Sequence, residues 1–348
     1  MNSFIKFAAV NTKIRVLESK FLSNEDFENL LNKNSVSQVA SYLKSETHYT
    51  NILKDINENE IHRSQLEILI RKDHARQIEK IEHYFYDGYK VFFRYVFIKR
   101  EIEELKGILR GIINGRISTL GRDSFAHLGR FSKVNIDSLL SSKSIEDFIK
   151  SLKGTIYSRY LEPLEDEKGE KSLFMAEMLL DLAYFDMFYK NLDDIGERDK
   201  KIVDELQGAN IDLLNIQWVY RGLKYYNIYQ GILFNFTIPH GMEFSLRDIK
   251  DLCYSKDLND FEDKILNTRY KFLFDNENTK DIFMERRILR YQYFNIKKLE
   301  NKHEMNISEA IAFDTLLEYE IRDIVTIIES IRYNMPPNEA KKFLIRKL

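Results

Sequence analysis

An amphipathic pattern of apolar and polar residues occurs three times along the chain. Residues 101–111 read EIEELKGILRG, residues 212–222 read DLLNIQWVYRG, and residues 320–330 read EIRDIVTIIES. In each stretch a carboxylate comes first, and apolar residues follow at spacings that keep them on one face of a helix. We call the three predicted helices the signature helices. They begin 111 and 108 residues apart.

A second marker repeats in step with the first. The tripeptide Thr-x-Tyr occurs at Thr47/Tyr49, Thr155/Tyr157 and Thr268/Tyr270. Each threonine lies 52 to 57 residues before a signature helix. The period exceeds the roughly 20–50 residues of a solenoid unit, so the repeat predicts three small domains, each with its own core. We place these modules at residues 1–118, 119–232 and 233–348.

Breakers of helical structure are rare, which predicts an all-α protein. The chain has only four prolines and thirteen glycines. Long proline-free stretches are rich in Leu, Ile, Lys and Glu, which are good helix formers or fit an apolar helix face. Residues 60–105 contain almost no breaker except Gly88, so we expect one or two long helices there.

Composition and charge exclude several classes of protein. Apolar residues make up 44% of the 348 residues, and charged residues make up 31% with a net charge of −2. A nucleic-acid binder would usually be strongly basic. The single Cys253 excludes an intramolecular disulfide. Glu177, Asp181 and Asp186 interrupt the most apolar span, residues 173–189, so we expect no transmembrane helix and no direct membrane insertion.

Motifs of catalysis and cofactor binding are missing from the sequence. It contains no HExxH, GxSxG, phosphate loop or GxGxxG, so we predict no catalytic, cofactor-binding or metal-binding residue and no cofactor. One exception stays open. Glu177 and Asp181 lie four residues apart on an apolar helix and could bind a metal or perform acid–base chemistry. More commonly, carboxylates at such positions mark the solvent-exposed edge of the helix.

The polar residues of the repeat allow two interpretations. The first carboxylates of the signature helices, Glu101, Asp212 and Glu320, could form a functional ring around a pseudo-threefold axis. Alternatively, each could serve its own module by capping or pairing. Arg110 and Arg221 occupy matching places near the ends of two signature helices, but Glu329 takes the third place. This inversion of charge breaks strict threefold symmetry and gives the modules different surfaces.

The chain resembles the C subunits of bacterial and archaeal V-type/A-type ATPases, a family that includes the d subunit of eukaryotic V-ATPases. The resemblance rests on AAVNTKIRVLESKFLS near the start, on SYLKSETHY at 41–49, and on EIEELKGILRG. The repeat of the last two spans essentially the whole chain. Glu329 and Ser330 depart from it, because Arg-Gly is expected there.

The resemblance implies a funnel of three similar all-helical domains with pseudo-threefold symmetry. It implies a non-catalytic central-stalk subunit on the cytoplasmic side of the membrane, without chemistry of its own. Such a subunit joins the membrane rotor ring to the central axle, formed by D-type and F-type subunits, and transmits torque between ion translocation and ATP turnover. Five residues are candidates for the axle-facing surface: Glu101, Arg110, Asp212, Arg221 and Glu320.

Two other functions compete with the rotary one. The chain could be a soluble helical adaptor that binds a peptide or coiled coil in a groove between domains. It could also be a helical-bundle enzyme that uses Glu177 and Asp181 with a metal. The repeat disfavours the enzyme, since one active site rarely needs three copies of a scaffold. It does not discriminate between the two binding functions.

Overall fold

The computed structural model describes residues 3–129, 133–164, 170–274, 280–300, 302 and 304–348. All regular structure in these ranges is helical and none of their residues belongs to a strand. The prediction of an all-α protein is therefore confirmed. The arrangement of three domains as a funnel stays a prediction.

The helices, numbered in chain order, fall into long and short classes. Short helices cluster between pairs of long ones. The α-helices are α1 (Ser3–Glu18), α2 (Asn24–Leu31), α3 (Val36–Glu46), α4 (Thr50–Leu53), α5 (Arg63–Glu82), α6 (Asp87–Phe93), α7 (Tyr95–Ile113), α8 (Ile136–Leu140), α9 (Ile145–Ser151), α10 (Ser158–Leu161), α11 (Glu170–Lys190), α12 (Glu197–Lys224), α13 (Gln230–Asn235), α14 (Leu246–Cys253), α15 (Leu258–Leu266), α16 (Lys280–Glu300), α17 (Ser308–Arg332) and α18 (Pro337–Ala340). Short 3₁₀ turns lie at Ile117–Thr119, Arg122–Ser124, Glu162–Leu164, Leu192–Asp194, Lys271–Leu273 and Lys341–Phe343.

The chain forms two compact units. Unit 1 consists of Met1–Tyr86 together with Asn278–Leu348, and unit 2 consists of Asp87–Glu277. Unit 1 therefore combines the two ends of the chain, whereas unit 2 is continuous. The boundaries of the three predicted modules stay a prediction.

The core of unit 1 forms around the third signature helix, which lies within α17. In its apolar stripe, Ile321, Ile324, Ile327 and Ile328 are completely buried. The last member of the stripe, Ile331, is half-buried. Apolar residues of α2, α3 and α5 join these isoleucines in one cluster. The periodicity of the sequence thus identified the side of the helix that faces the core.

Unit 2 contains the other two signature helices, within α7 and α12. In α7 every apolar position of the stripe is buried: Ile102, Leu105, Ile108, Leu109 and Ile112. In α12 the stripe is buried at Leu213, Ile216, Val219 and Tyr220, and Leu223 is half-buried. The stretch 60–105 divides into the long helices α5 and α7 with the short α6 between them. Gly88 lies at the start of α6, where a Cβ atom would clash with the carbonyl oxygen of Asp194.

One short helix in each of the three copies begins with the same capping interaction. Ser35, Ser144 and Asp257 cap α3, α9 and α15, and each side chain accepts a hydrogen bond from the backbone N–H three residues later. Such caps satisfy N–H groups that the helix itself leaves unpaired. The short helices are therefore repeated along with the long ones.

Candidate functional site

The first carboxylate of every signature helix is buried and bonded to a tyrosine. Glu101, Asp212 and Glu320 are 2%, 0% and 1% exposed. Each accepts a hydrogen bond from the hydroxyl of one Thr-x-Tyr tyrosine. The distances are 2.5 Å for Tyr157 to Glu101, 2.8 Å for Tyr270 to Asp212 and 3.0 Å for Tyr49 to Glu320. We call these three contacts the carboxylate–tyrosine pairs.

The same carboxylates also accept backbone N–H groups. Glu101 accepts from Gly129 at 2.9 Å, Asp212 from Glu243 at 2.7 Å, and Glu320 from Leu22 at 2.8 Å. The donors lie shortly before the short helices α8, α14 and α2, respectively. Each carboxylate therefore ties a signature helix to two separate segments.

A second polar residue, three positions further along each signature helix, holds the backbone 22 to 24 residues downstream. Glu104 accepts from the N–H groups of 126, 127 and 128. Asn215 exchanges two hydrogen bonds with the backbone of Ile238, at 2.8 and 2.9 Å. Asp323 accepts from the N–H of Ile345 at 2.6 Å and from Nε of Arg346 at 3.0 Å. This position therefore holds the downstream backbone by hydrogen bonds in all three copies, although the residue type differs.

The threonine of Thr-x-Tyr has the same role in all copies. Its hydroxyl donates to a carbonyl near the end of the preceding helix, at 2.6 Å for Thr47 and 2.7 Å for Thr155 and Thr268. It accepts from the backbone N–H of the tyrosine two residues later, at 3.1 to 3.3 Å. The threonine therefore directs the chain so that the tyrosine enters the core.

Burial perturbs the ionisation of these groups. Burial raises the pKa of Asp212 and that of Glu320, although the hydrogen bonds they accept oppose this rise. Burial, followed by the charge of the neighbouring carboxylate, raises the pKa of Tyr49 and that of Tyr157. These two tyrosines consequently remain protonated donors.

Every tyrosine bonds to a signature helix other than the one that follows it. Tyr157 and Tyr270 bond to the carboxylates 56 and 58 residues before them. Tyr49 bonds to Glu320, 271 residues after it. These hydrogen bonds cross the predicted boundaries at 118/119 and 232/233, and the last one joins the two ends of the chain.

Glu177 and Asp181 of α11 are engaged in ion pairs with α7. The Nε of Arg110 donates to Glu177 at 2.6 Å, and the ammonium of Lys106 lies 2.5 Å from Asp181. Burial raises the pKa of Asp181 against the opposing charge of Lys106. Burial disfavours the charged form of Lys106, but Asp181 still keeps the pKa of this lysine above its usual value. No group of three potential metal ligands occurs among the described residues.

The inverted charge of Glu329 has a structural explanation. It forms an ion pair with Arg63 of α5, just as Arg110 of α7 forms one with Glu177 of α11. The two signature helices therefore make equivalent contacts with opposite polarity. Arg221 lies instead with its guanidinium 5.5 Å from the ring of Phe174.

The five candidate axle residues fall into two groups. Glu101, Asp212 and Glu320 lie in the interior, so they could influence an external surface only through the segments they hold. The Arg110 side chain is 51% exposed and Arg221 is half-buried. The structure brings each carboxylate to a tyrosine and does not assign an axle contact to any of the five.

Sequence reasoning missed three partners of this site. His48 lies with its Nε2 3.6 Å from Glu320, and its Nδ1 is 2.8 Å from the carbonyl oxygen of Lys20. Lys106 and Arg346 are buried bases paired with carboxylates. Lys106 lies within the signature EIEELKGILRG and His48 within Thr-x-Tyr, but their chemistry becomes visible only once the partner segments are known.

Comparison with known proteins identifies the family of the chain. The family model vATP-synt_AC39, ATP synthase (C/AC39) subunit, matches residues 10–343. The C subunit of the A-type ATP synthase of Methanocaldococcus jannaschii is 22% identical, over 97% of this chain and 86% of its own length. That of Methanosphaera stadtmanae is 20% identical, over 96% and 86%. A 30% identical match to the corresponding protein of Halobacterium salinarum covers 32% of each chain.

The described residues thus form an all-helical scaffold in which three repeated carboxylate–tyrosine pairs are buried. The chain belongs to the ATP synthase (C/AC39) subunit family, whose members are structural, non-catalytic subunits of a rotary ATPase. It is accordingly part of such a complex. In the ranges that the structure covers, no helix is long and apolar enough to cross a membrane.

Proposed function

We propose that this subunit joins the membrane rotor ring to the central axle of its rotary ATPase and transmits torque between ion translocation and ATP synthesis or hydrolysis. Its partners are the ring and the D-type and F-type axle subunits. It lies peripherally, on the cytoplasmic side of the membrane. The three domains form a funnel that receives the end of the axle.

The observation that carries this proposal is the repeated buried bracing of the signature helices. Transmission of torque requires that short surface helices do not shift relative to long core helices under load. Each carboxylate–tyrosine pair joins these two kinds of element by hydrogen bonds inside the core, where such bonds are strongest and costly to leave unmade. This bracing occurs once per copy, as a funnel of three similar domains would require.

The five candidate residues contribute to axle binding in two ways in this proposal. Arg110 and Arg221 present positive charge at the surface and interact with carboxylates of the axle. Glu101, Asp212 and Glu320 act indirectly by holding the backbone segments that surround the contact. Surface charge pairs of this kind would govern register and salt dependence more than affinity.

The direct test is purification of the tagged protein from its own membranes in mild detergent, followed by native mass spectrometry. We expect recovery together with a membrane ring and with axle and catalytic subunits. Recovery of the chain alone, or with an unrelated soluble partner, would contradict the rotor function and favour a helical adaptor.

A matched pair of variants tests the role of Arg110. Arg110→Gln and Glu177→Gln both break the same surface ion pair, but only the first removes the cation. If Arg110 contacts the axle, Arg110→Gln weakens axle binding and lowers its salt dependence, whereas Glu177→Gln changes neither. Equal effects of the two variants would show that the ion pair matters only within the protein itself. Arg221→Gln is examined in the same assay.

A further inference from the structure

The middle residue of Thr-x-Tyr differs between the three copies. His48, Ile156 and Arg269 hold this position. Ile156 is exposed, and Arg269 forms an ion pair with Glu243 at 2.6 Å. His48 instead lies against the buried Glu320, and its side chain is only 9% exposed. Histidine changes its charge near neutral pH, so this position is titratable in that range in unit 1 alone.

The imidazole ring of His48 lies between two hydrogen-bond acceptors. Its Nδ1 is 2.8 Å from the carbonyl oxygen of Lys20, and its Nε2 is 3.6 Å from Oε1 of Glu320. A carbonyl oxygen can only accept, so Nδ1 must carry a proton to bond to Lys20. The neutral ring has only one N–H. In this tautomer, the lone pair of Nε2 therefore faces the carboxylate of Glu320.

The other neutral tautomer exchanges one unfavourable contact for another. A proton on Nε2 points towards Glu320, but the lone pair of Nδ1 then faces the carbonyl oxygen of Lys20. The hydroxyl of Tyr49 also donates to Oε1 of Glu320, which leaves this oxygen an acceptor towards Nε2. Both contacts of the ring are favourable only when a second proton is present, on His48 or on the carboxyl group of Glu320. The geometry thus contains a place for one additional proton between these two side chains.

The charges around this place favour the additional proton. Glu320 and Asp323 are buried carboxylates of α17, and Arg346 is the cation that bonds to Asp323. The buried Asp73 of α5 adds a third acidic group, which acts on the tyrosine of the same pair. Burial raises the pKa of Glu320, and the charge of His48 opposes this rise. A protonated His48 therefore supplies a second cation among three acidic groups, where an uncompensated charge is costly.

Residues 19–23 form the linker between α1 and α2, and the same two side chains hold it. The carbonyl oxygen of Lys20 faces the histidine, and the N–H of Leu22 donates to Oε2 of the glutamate at 2.8 Å. The carbonyl oxygen of Leu22 in turn accepts from Nη1 of Arg346 at 3.2 Å. Loss of the additional proton therefore acts directly on the side chains that hold this linker to the core.

We propose that His48 and Glu320 together bind one proton, and that this proton keeps the linker 19–23 attached to α17. We call the two residues the proton latch. Without the proton the ring can satisfy only one of its two neighbours, so the linker separates from the core more often. The folded pair binds this proton more tightly than the separate residues do in the unfolded chain. The contribution of the latch to stability is therefore present at lower pH and is lost as pH rises through the neutral range.

Ring NMR of the full chain tests the proton directly. With isotope-labelled histidine rings, the nitrogen shifts distinguish the doubly protonated ring from both neutral tautomers between pH of about 5 and 9. In Glu320→Gln the ring of His48 should lose its second proton at a pH about one unit lower than in the wild type, because its anionic partner is gone. The exposed His62 of the same unit should titrate identically in both proteins. His48→Gln and His62→Gln assign the two signals.

Hydrogen exchange tests the connection between the proton and the linker. Amide protection at 19–23, corrected for the intrinsic effect of pH on exchange, should fall on the order of tenfold as pH rises through the neutral range. His48→Gln should remove this change, because glutamine does not titrate. The neighbouring Glu18 also titrates in this range, so both proteins carry Glu18→Gln.

Unit 2 offers a matched control segment. Residues 243–245 contact a carboxylate–tyrosine pair as the linker does, since the N–H of Glu243 donates to Asp212. Arg269 holds the position of the histidine there and keeps its charge throughout the neutral range. In the control protein His240→Asn removes the neighbouring histidine, and asparagine tolerates its left-handed backbone. Protection of 243–245 should not change over the same pH range.

Three results would overturn the inference. His48 could titrate at the same pH in the wild type and in Glu320→Gln, the protection of 19–23 could be independent of pH, or it could fall equally with and without His48. If Glu320→Gln does not fold, the exchange measurement on His48→Gln still decides. The latch concerns one linker of unit 1 and goes beyond the proposed joining of ring and axle. Recovery of the ATPase complex is a separate measurement, so failure of the latch and failure of the proposed function are distinguishable.

Discussion

The carboxylate–tyrosine pairs of unit 2 and the one of unit 1 have the same hydrogen-bonding plan but different connectivity. In unit 2 the partners are 56 and 58 residues apart, and a continuous chain joins them. In unit 1 they are 271 residues apart and come from the two ends of the protein. Joining distant segments costs more chain entropy, although the cost grows only slowly with length.

Unit 1 has additional contacts near its Tyr49–Glu320 pair. Arg346 donates to Asp323 and to the carbonyl oxygen of Leu22, and Lys341 forms an ion pair with Glu28. His48 approaches Glu320. A repeat can therefore keep its internal geometry while the copy that contains the termini acquires extra charged contacts between them.

The largest expected effect comes from breaking the Asp323–Arg346 contact. Asp323→Ala leaves the guanidinium of Arg346 buried without this counterion and should cost about 3–5 kcal/mol. Asn215→Ala, at the matching position of unit 2, removes neutral hydrogen bonds and should cost about 1–3 kcal/mol. Hydrogen exchange of peptides from each unit, together with chemical denaturation, measures both losses. Equal losses would mean that the charge in unit 1 adds nothing.

Removal of the tyrosine hydroxyls compares the three pairs directly. Tyr157→Phe and Tyr270→Phe each delete a hydrogen bond to a buried carboxylate and should cost about 2 kcal/mol in unit 2. Tyr49→Phe should cost less, about 1 kcal/mol, because Glu320 also has His48 nearby. In chemical denaturation, the double variant Tyr49→Phe/His48→Ala should then lose more than the sum of the single variants. Simple additivity would exclude His48 as a second partner.

The threonines should show no difference between the units. Thr47→Val, Thr155→Val and Thr268→Val keep the shape of the side chain but remove the hydroxyl that connects helix end and tyrosine. We expect chemical denaturation to show a loss of about 1 kcal/mol in each case, since the contact is local and has the same geometry three times. A much larger loss of stability for Thr47→Val would show that the contact between the two ends of the chain in unit 1 depends on this hydroxyl.

The smallest effect concerns pH and is confined to unit 1. Burial and the charges of Glu300 and Glu309 raise the pKa of Glu18 from 4.5 to about 7, against Lys297 and Arg15. The folded state therefore binds this proton more tightly than the unfolded state, so stability decreases as pH rises from about 4.5 through 7.

Glu18→Gln should remove this pH dependence. At pH above the raised pKa it should stabilise unit 1 on the order of 1 kcal/mol, after allowance for screening of this partly exposed group. The measurement is denaturation of both proteins across the acidic to neutral range, with hydrogen exchange in unit 2 as the internal control. A parallel pH dependence of the two proteins would assign the titration to another group.

Much of the fold was accessible from periodicity. The apolar stripes of the signature helices predicted the buried faces of α7 and α17 at nearly every position, because apolar side chains spaced by helical turns must share one face. The rarity of proline and glycine, with long stretches rich in Leu, Ile, Lys and Glu, predicted the all-α class. The signature helices and the Thr-x-Tyr tripeptides recur at matching intervals, which predicted a repeat.

The candidate site was only partly accessible. The repetition of Glu101, Asp212 and Glu320 indicated a common role. Their burial and hydrogen bonds show a shared structural role, but each carboxylate bonds to a tyrosine of another predicted module and not of its own. Glu177 and Asp181 stood out as carboxylates on an apolar helix, but their partners lie on α7, 67 and 75 residues away in the chain. No local pattern connects residues on two such helices.

The sequence alone determined the elements: which residues form helices, which faces are apolar, and that one motif occurs three times. These features follow from the spacing of side chains along a single helix. The tertiary structure decided which tyrosine meets which carboxylate, because any of the three repeated tyrosines could pair with any signature helix and sequence order favours none. Only packing resolves this choice, and it joins Tyr49 to Glu320 across almost the whole chain, since both ends contribute to one core.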